Sequence, residues 1–171
     1  MKEFNVINSR VPRVDARAKV TGDARYTADL SMPNMLYGAL LQSPHAHAKI
    51  LNIDTSAAKK LIGVKEVVTA KEASPIKFGL SPARYDEMMF CMEKVRYVGD
   101  EIAAVAAVDP DTAMEAISLI KVDYEELPAY FNIFDAMKEG AMLIHDDYPG
   151  NINAEVHQEF GNVEEAFKQC D

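Results

Sequence analysis

The feature that most constrains this chain is the apolar run Ile102–Val108 (IAAVAAV), set directly against Asp109-Pro110-Asp111. The run is far shorter than the roughly 20 apolar residues that cross a membrane, and turn residues bound it, so it predicts a buried central strand. Its alanines leave room for a helix to pack closely on one face. Asp109 is an acidic cap and Pro110 fits the first turn of a helix running to about Ile120. Ala113, Ala116, Ile117 and Ile120 fall at i, i+3, i+4 and i+7, one apolar face. Lys121–Glu126 then alternates as a half-exposed strand. Strand, helix and strand in this order form either a right-handed βαβ crossover or an adjacent antiparallel return.

The remaining segments are short. Residues 1–35 read as an extended arm with little apolar periodicity. Leu36–Gln42 is a buried strand broken by Ser43-Pro44, and His47–Asp54 is a second, with a bulge possible where two apolar residues meet. Asp54, Thr55 or Ser56 caps a short helix over Ala57–Leu61, and Gly63 stops it. Val64–Thr69 and Val95–Tyr97 are further strands. Between them, Pro75, Gly79 and Pro82 exclude long elements, while Met88, Met89, Phe90 and Met92 form an apolar loop suited to packing on a partner. A last short helix is expected over 133–139, and Asn162 is placed to cap a turn at Val163–Phe167. The expected class is α+β: a mixed sheet with two or three short helices. The expected layout is an arm at 1–35, a body at 36–144 and a linker at 145–171.

Charge and composition exclude several functions. The formal net charge is 18 − 27 = −9, opposite in sign to a nucleic-acid footprint. Basic residues gather early (Lys2, Arg10, Arg13, Arg17, Lys19, Arg25), which reads as an arm lying on its own or a neighbouring subunit. The start lacks the apolar core of a secretory signal, so a cytoplasmic protein is expected. Cys91 and Cys170 are far apart, with no C-x-x-C spacing, and read as two free thiols.

The search for chemistry is nearly empty. No P-loop, G-x-G-x-x-G, G-x-S-x-G or H-E-x-x-H is present. His45-Ala46-His47 is the nearest thing to a constellation, since residues two apart on a strand share a face. Two imidazoles are short of the three or four ligands a metal needs, so the pair reads as structural, with a metal site as the weaker alternative. His145-Asp146-Asp147 reads as solvated surface, His157 stands alone, and Glu125-Glu126 point to opposite faces of a strand. On chemistry alone the expectation is a domain with no catalytic, cofactor-binding or metal residues.

Several segments in order carry a resemblance. Lys19–Leu30 (KVTGDARYTADL), Ser43–Ile50 (SPHAHAKI), Val95–Val105 (VRYVGDEIAAV) and Val122–Pro128 (VDYEELP) resemble the N-terminal α/β hammerhead domain of xanthine dehydrogenase/aldehyde oxidase-family large subunits. The likeness spans roughly residues 10–152. Pro75–Pro82, His145–Asp147 and Glu155–Gly161 look most like the 4-hydroxybenzoyl-CoA reductase subgroup.

This resemblance implies a large subunit that binds molybdopterin, with iron–sulfur clusters and FAD on partner subunits. In the subgroup it implies reductive dehydroxylation of 4-hydroxybenzoyl-CoA to benzoyl-CoA in anaerobic aromatic degradation. Relatives oxidising xanthine, nicotinate, aldehydes or carbon monoxide share the general motifs. The family's pterin-binding and catalytic residues lie downstream, so none is carried onto this chain, and its partners would be the downstream molybdenum-binding domains and the iron–sulfur and flavin subunits. Glu164–Asp171 reads as an element cut from its continuation. The rival expectation is a free-standing metal- or protein-binding module using His45 and His47.

Overall fold

Both edges of the central strand are occupied. β1 (Tyr37–Gln42) and β3 (Val64–Thr69) each pair antiparallel with β5 (Glu101–Ala107), giving the order β1-β5-β3. Val105 stands opposite Ala39 on one side and Val67 on the other. A second three-stranded sheet has the order β4-β2-β6, with β2 at Ala48–Asp54, β4 at Lys94–Val95 and β6 at Lys121–Glu126. Its pairings are also antiparallel. The chain is thus a small α/β domain of two antiparallel sheets and few helices. This computed structural model describes residues 7, 10–80 and 85–170. Lys2, Ser81, Pro82 and Asp171 lie outside the described residues.

The expected link between the central strand and Lys121–Glu126 is corrected. It is neither a βαβ crossover nor an adjacent return. Because β1 and β3 fill both edges of β5, α3 (Pro110–Ser118) hands the chain to the other sheet, where β6 pairs with β2.

The face of β5 carrying Ala103, Val105 and Ala107 packs on Ala113 and Ala116 of α3, Ala58 of α2 (Ser56–Lys60) and Val67. Small side chains on both surfaces allow the close approach that the alanine run implied. Ile102 joins Ala48, Cys91 and Val95 in a second cluster, and Leu41, Ile53 and Val122 touch both. The two sheets therefore share one continuous apolar interior. Asp109 caps α3 by accepting from the Thr112 amide and hydroxyl, each at 2.7 Å. The same bonds hold its carboxyl below the usual range. In β2 the register shifts between Ile50 and Asn52, and Leu51 faces solvent, so the bulge falls where two apolar residues meet.

The chain divides into two compact units, Met1–Met35 and Leu36–Asp171. The first is not extended throughout, as its sequence suggested. α1 (Ala16–Thr21) forms because Lys19 pairs with Asp15 at 2.7 Å and Gly22 closes the helix at φ 79°. A single 3-10 turn follows at Thr27–Asp29. In the second unit, α4 (Ile133–Ala136) and α5 (Val163–Lys168) are capped by Asn132 and Asn162. No helix among the described residues is long and apolar enough to cross a membrane.

Candidate functional site

The histidine pair is placed in the bend before β2, not on a strand, so the shared-face argument does not apply to it. His47 is turned inward and only 4% exposed. Its Nδ1 donates to the Pro128 carbonyl at 2.7 Å, which fixes the tautomer because a carbonyl only accepts. The Leu127 amide donates to the His47 carbonyl at 2.9 Å, so residue 47 clasps the end of β6 twice. Its Nε2 is enclosed, with no partner among the described residues. His45 lies edge-on to Tyr124 at 4.6 Å between ring centres, with Glu126 3.4 Å from its Nδ1. The two rings answer to different neighbours. Among the described residues no group of three or more His, Cys, Asp and Glu side chains is arranged to hold a metal ion.

A concavity lies elsewhere, in the second unit. It is an open groove of about 830 Å³ walled by Phe78, Met88, Met89, Met92, Tyr97 and His145. The irregular loop from Met88 builds its floor by burying Phe90 and Cys91 while leaving Met89 and Met92 exposed. The Cys91 amide bonds to the Glu101 carbonyl at 2.8 Å, which pins the loop to the start of β5.

Lys94 lines this groove and Lys77 precedes its wall residue Phe78; sequence reading missed both. Lys94, only 8% exposed, donates to the Leu143 carbonyl and to Asp146 Oδ1, each at 3.0 Å. Lys77 pairs with Asp147 at 2.8 Å. Arg96 donates to the Ile144 carbonyl at 3.0 Å. The stretch His145-Asp146-Asp147 is therefore the far half of a clasp, not merely solvated surface. Lys94 holds Asp146, and Lys77 holds Asp147, below the usual carboxylate range. Burial, helped by the Arg96 charge, pushes His145 down from its ordinary value.

The groove is not poised for covalent chemistry. Burial, then the neighbouring Asp100 carboxylate, pushes the Cys91 thiol up, so it stays protonated at neutral pH. Tyr97 is pushed up to about 12 by burial and then by the charges of Asp100 and Glu101. Among the described residues the donor set here, one protonated thiol with no cluster of ligating side chains, does not fit a molybdenum centre.

Comparison with known proteins places this architecture. The family described as aldehyde oxidase and xanthine dehydrogenase, a/b hammerhead domain, matches residues 21–128. The chain is 40% identical to the nicotinate dehydrogenase large molybdopterin subunit of Eubacterium barkeri, over 99% of this chain and 39% of that one. It is 39% identical to the carbon monoxide dehydrogenase large chain of Afipia carboxidovorans, over 79% of this chain and 17% of the relative. The aldehyde oxidoreductase structure from Desulfovibrio desulfuricans superimposes with a TM-score of 0.73 at 35% identity, over 82% of this chain and 17% of that one. The chain thus spans well under half the length of these relatives. It belongs to the α/β hammerhead domain family of aldehyde oxidases and xanthine dehydrogenases.

Proposed function

We propose that this chain is the N-terminal structural domain of a molybdopterin-dependent oxidoreductase and catalyses nothing by itself. The observation that carries this reading is the match of almost the whole chain to only 39% of a large molybdopterin subunit. In this reading residues 1–35 are an arm, 36–144 the hammerhead body and 145–171 the link toward the molybdenum-binding domains. The partners are those domains and separate iron–sulfur and flavin subunits, in the cytoplasm. No catalytic, cofactor or metal residue is assigned to this chain, and His47 serves as a clasp.

For the parent reaction we favour reductive dehydroxylation of 4-hydroxybenzoyl-CoA. Its support is the likeness of Pro75–Pro82, His145–Asp147 and Glu155–Gly161 to that subgroup. The 40% identity to a nicotinate dehydrogenase subunit favours a second reading, hydroxylation of an aromatic heterocycle. The test is to purify the native polypeptide containing this sequence, determine its mass, and assay it with both substrates. Reduction of 4-hydroxybenzoyl-CoA by a low-potential donor is expected. Turnover of nicotinate alone supports the second reading, and a native polypeptide ending at residue 171 contradicts both.

A further inference from the structure

The segment after β6 presents an unusual surface. Phe131 is 91% exposed and Phe134 is 72% exposed, and Ile133 and Met137 are exposed beside them. Large apolar side chains scattered singly on a surface need no explanation, but four within seven residues mark a contact site. No charged residue occurs from Leu127 to Phe134, and Asp135 within the patch is neutralised by its pairing with Lys138, in a chain of net charge −9. The surface therefore suits an apolar partner, not a charged one.

The backbone beneath this surface is braced. The Phe134 amide donates to Asn132 Oδ1 at 2.8 Å. Asn151 donates through Nδ2 to the Ala136 and Met142 carbonyls at 2.8 and 3.0 Å, and its Oδ1 accepts from the Ile144 amide at 2.8 Å. Asn151 does this at φ 57°, a left-handed conformation that asparagine adopts more readily than most residues other than glycine. The Met142 amide bonds to the Tyr130 hydroxyl at 2.9 Å. α4 is anchored inward by Ala136 alone and displays its larger side chains outward. A backbone fixed in place before contact loses little freedom on binding, and aromatic anchors on such a backbone often dominate interface energetics.

The surface also has a definite place. It begins just after the family match ends at residue 128, and most of the nicotinate dehydrogenase large subunit lies outside the part this chain matches. We infer that Phe131, Ile133, Phe134 and Met137 are the seat on which an apolar face of the rest of the same large-subunit polypeptide packs. This rests on the reading above that the chain is one domain of a longer subunit, and it names the surface that joins the two.

Photochemical carbene labelling of the isolated 171-residue chain and of the purified native polypeptide tests this. Phe131 and Phe134 should label readily in the isolated chain and lose that labelling in the native polypeptide. A longer native polypeptide in which both still label overturns the seat but leaves the larger reading intact. A native polypeptide of 171 residues overturns the larger reading, and the seat with it. Protection already present in the isolated chain and lost on dilution makes a second copy the occupant, and overturns the inference. As a second arm, Phe131→Ser with Phe134→Ser should lower the thermal midpoint of the native polypeptide and leave that of the isolated chain unchanged. Equal shifts in both, or none in either, contradict the assignment.

Discussion

His47 Nδ1 and the Pro128 carbonyl meet at 2.7 Å across 81 residues of chain, closing the entry of β2 onto the exit of β6. The bond explains a histidine in this bend without any ligand. His47→Ala leaves the carbonyl unpaired and opens a void, and should destabilise the domain by about 2–3 kcal/mol in urea unfolding. His47→Asn should recover part of the loss, since its amide can donate. Calorimetric titration with zinc should show no stoichiometric site. A tight 1:1 site abolished by both His45→Ala and His47→Ala would show that the pair binds metal after all.

The Lys94–Asp146 pair is asymmetric, and its two halves should respond differently. The lysine side chain is 10% exposed and the aspartate 76%. Asp146→Asn should change stability by less than about 1 kcal/mol, as for most exposed partners. Lys94→Ala removes a buried stem and the bond to the Leu143 carbonyl as well, and should destabilise by about 2–3 kcal/mol. Equal effects in chemical denaturation would mean that the charge contact, not the burial, holds the clasp.

Acid should weaken the domain in two windows. His145 is held below its ordinary value, chiefly by burial and then by Arg96. The unfolded chain takes up this proton more readily, so stability is full above about pH 6.5 and falls as pH drops from there. Asp146 and Asp147 are also held low, so their contribution is present above about pH 4 and is lost below it. The urea midpoint should therefore be lower at pH 5 than at pH 7.5, and His145→Gln should flatten that difference. An NMR titration placing His145 at or above the free-histidine value would refute the first window.

Gly63 and Gly99 share nearly the same φ, 98° and 99°, yet differ in surroundings. A Cβ on Gly63 would meet Val108 Cγ2 at 3.0 Å and Thr112 Cγ2 at 3.1 Å, whereas one on Gly99 would meet nothing within 4 Å. Gly99→Ala should destabilise by about 1 kcal/mol through strain alone. Gly63→Ala should exceed this by a further 1 kcal/mol or so, because β3 and α3 must part. Equal melting temperatures for the two variants would contradict this packing argument.

Local patterns in the sequence were legible where one period dominates. The run at Ile102–Val108, the Asp109-Pro110 cap and the alternation in Lys121–Glu126 each specify an element without help from elsewhere. Sheet membership was not legible, because β5 and β6 read alike whether they pair or part. What separates them is that β1 and β3 fill both edges of β5, a long-range fact. α1 escaped notice because its support is one ion pair and a terminal glycine, with no apolar face. The clasp of Lys94 and Lys77 joins segments 52 and 70 residues away, beyond the reach of any local pattern.

On the proposed function, molybdenum chemistry belongs to polypeptide outside these residues. The direct test is the molybdenum and pterin content of the 171-residue chain, expressed and purified from a host that makes the cofactor. A folded protein with neither in stoichiometric amount is expected. One molybdenum per chain, retained through dialysis, would contradict it.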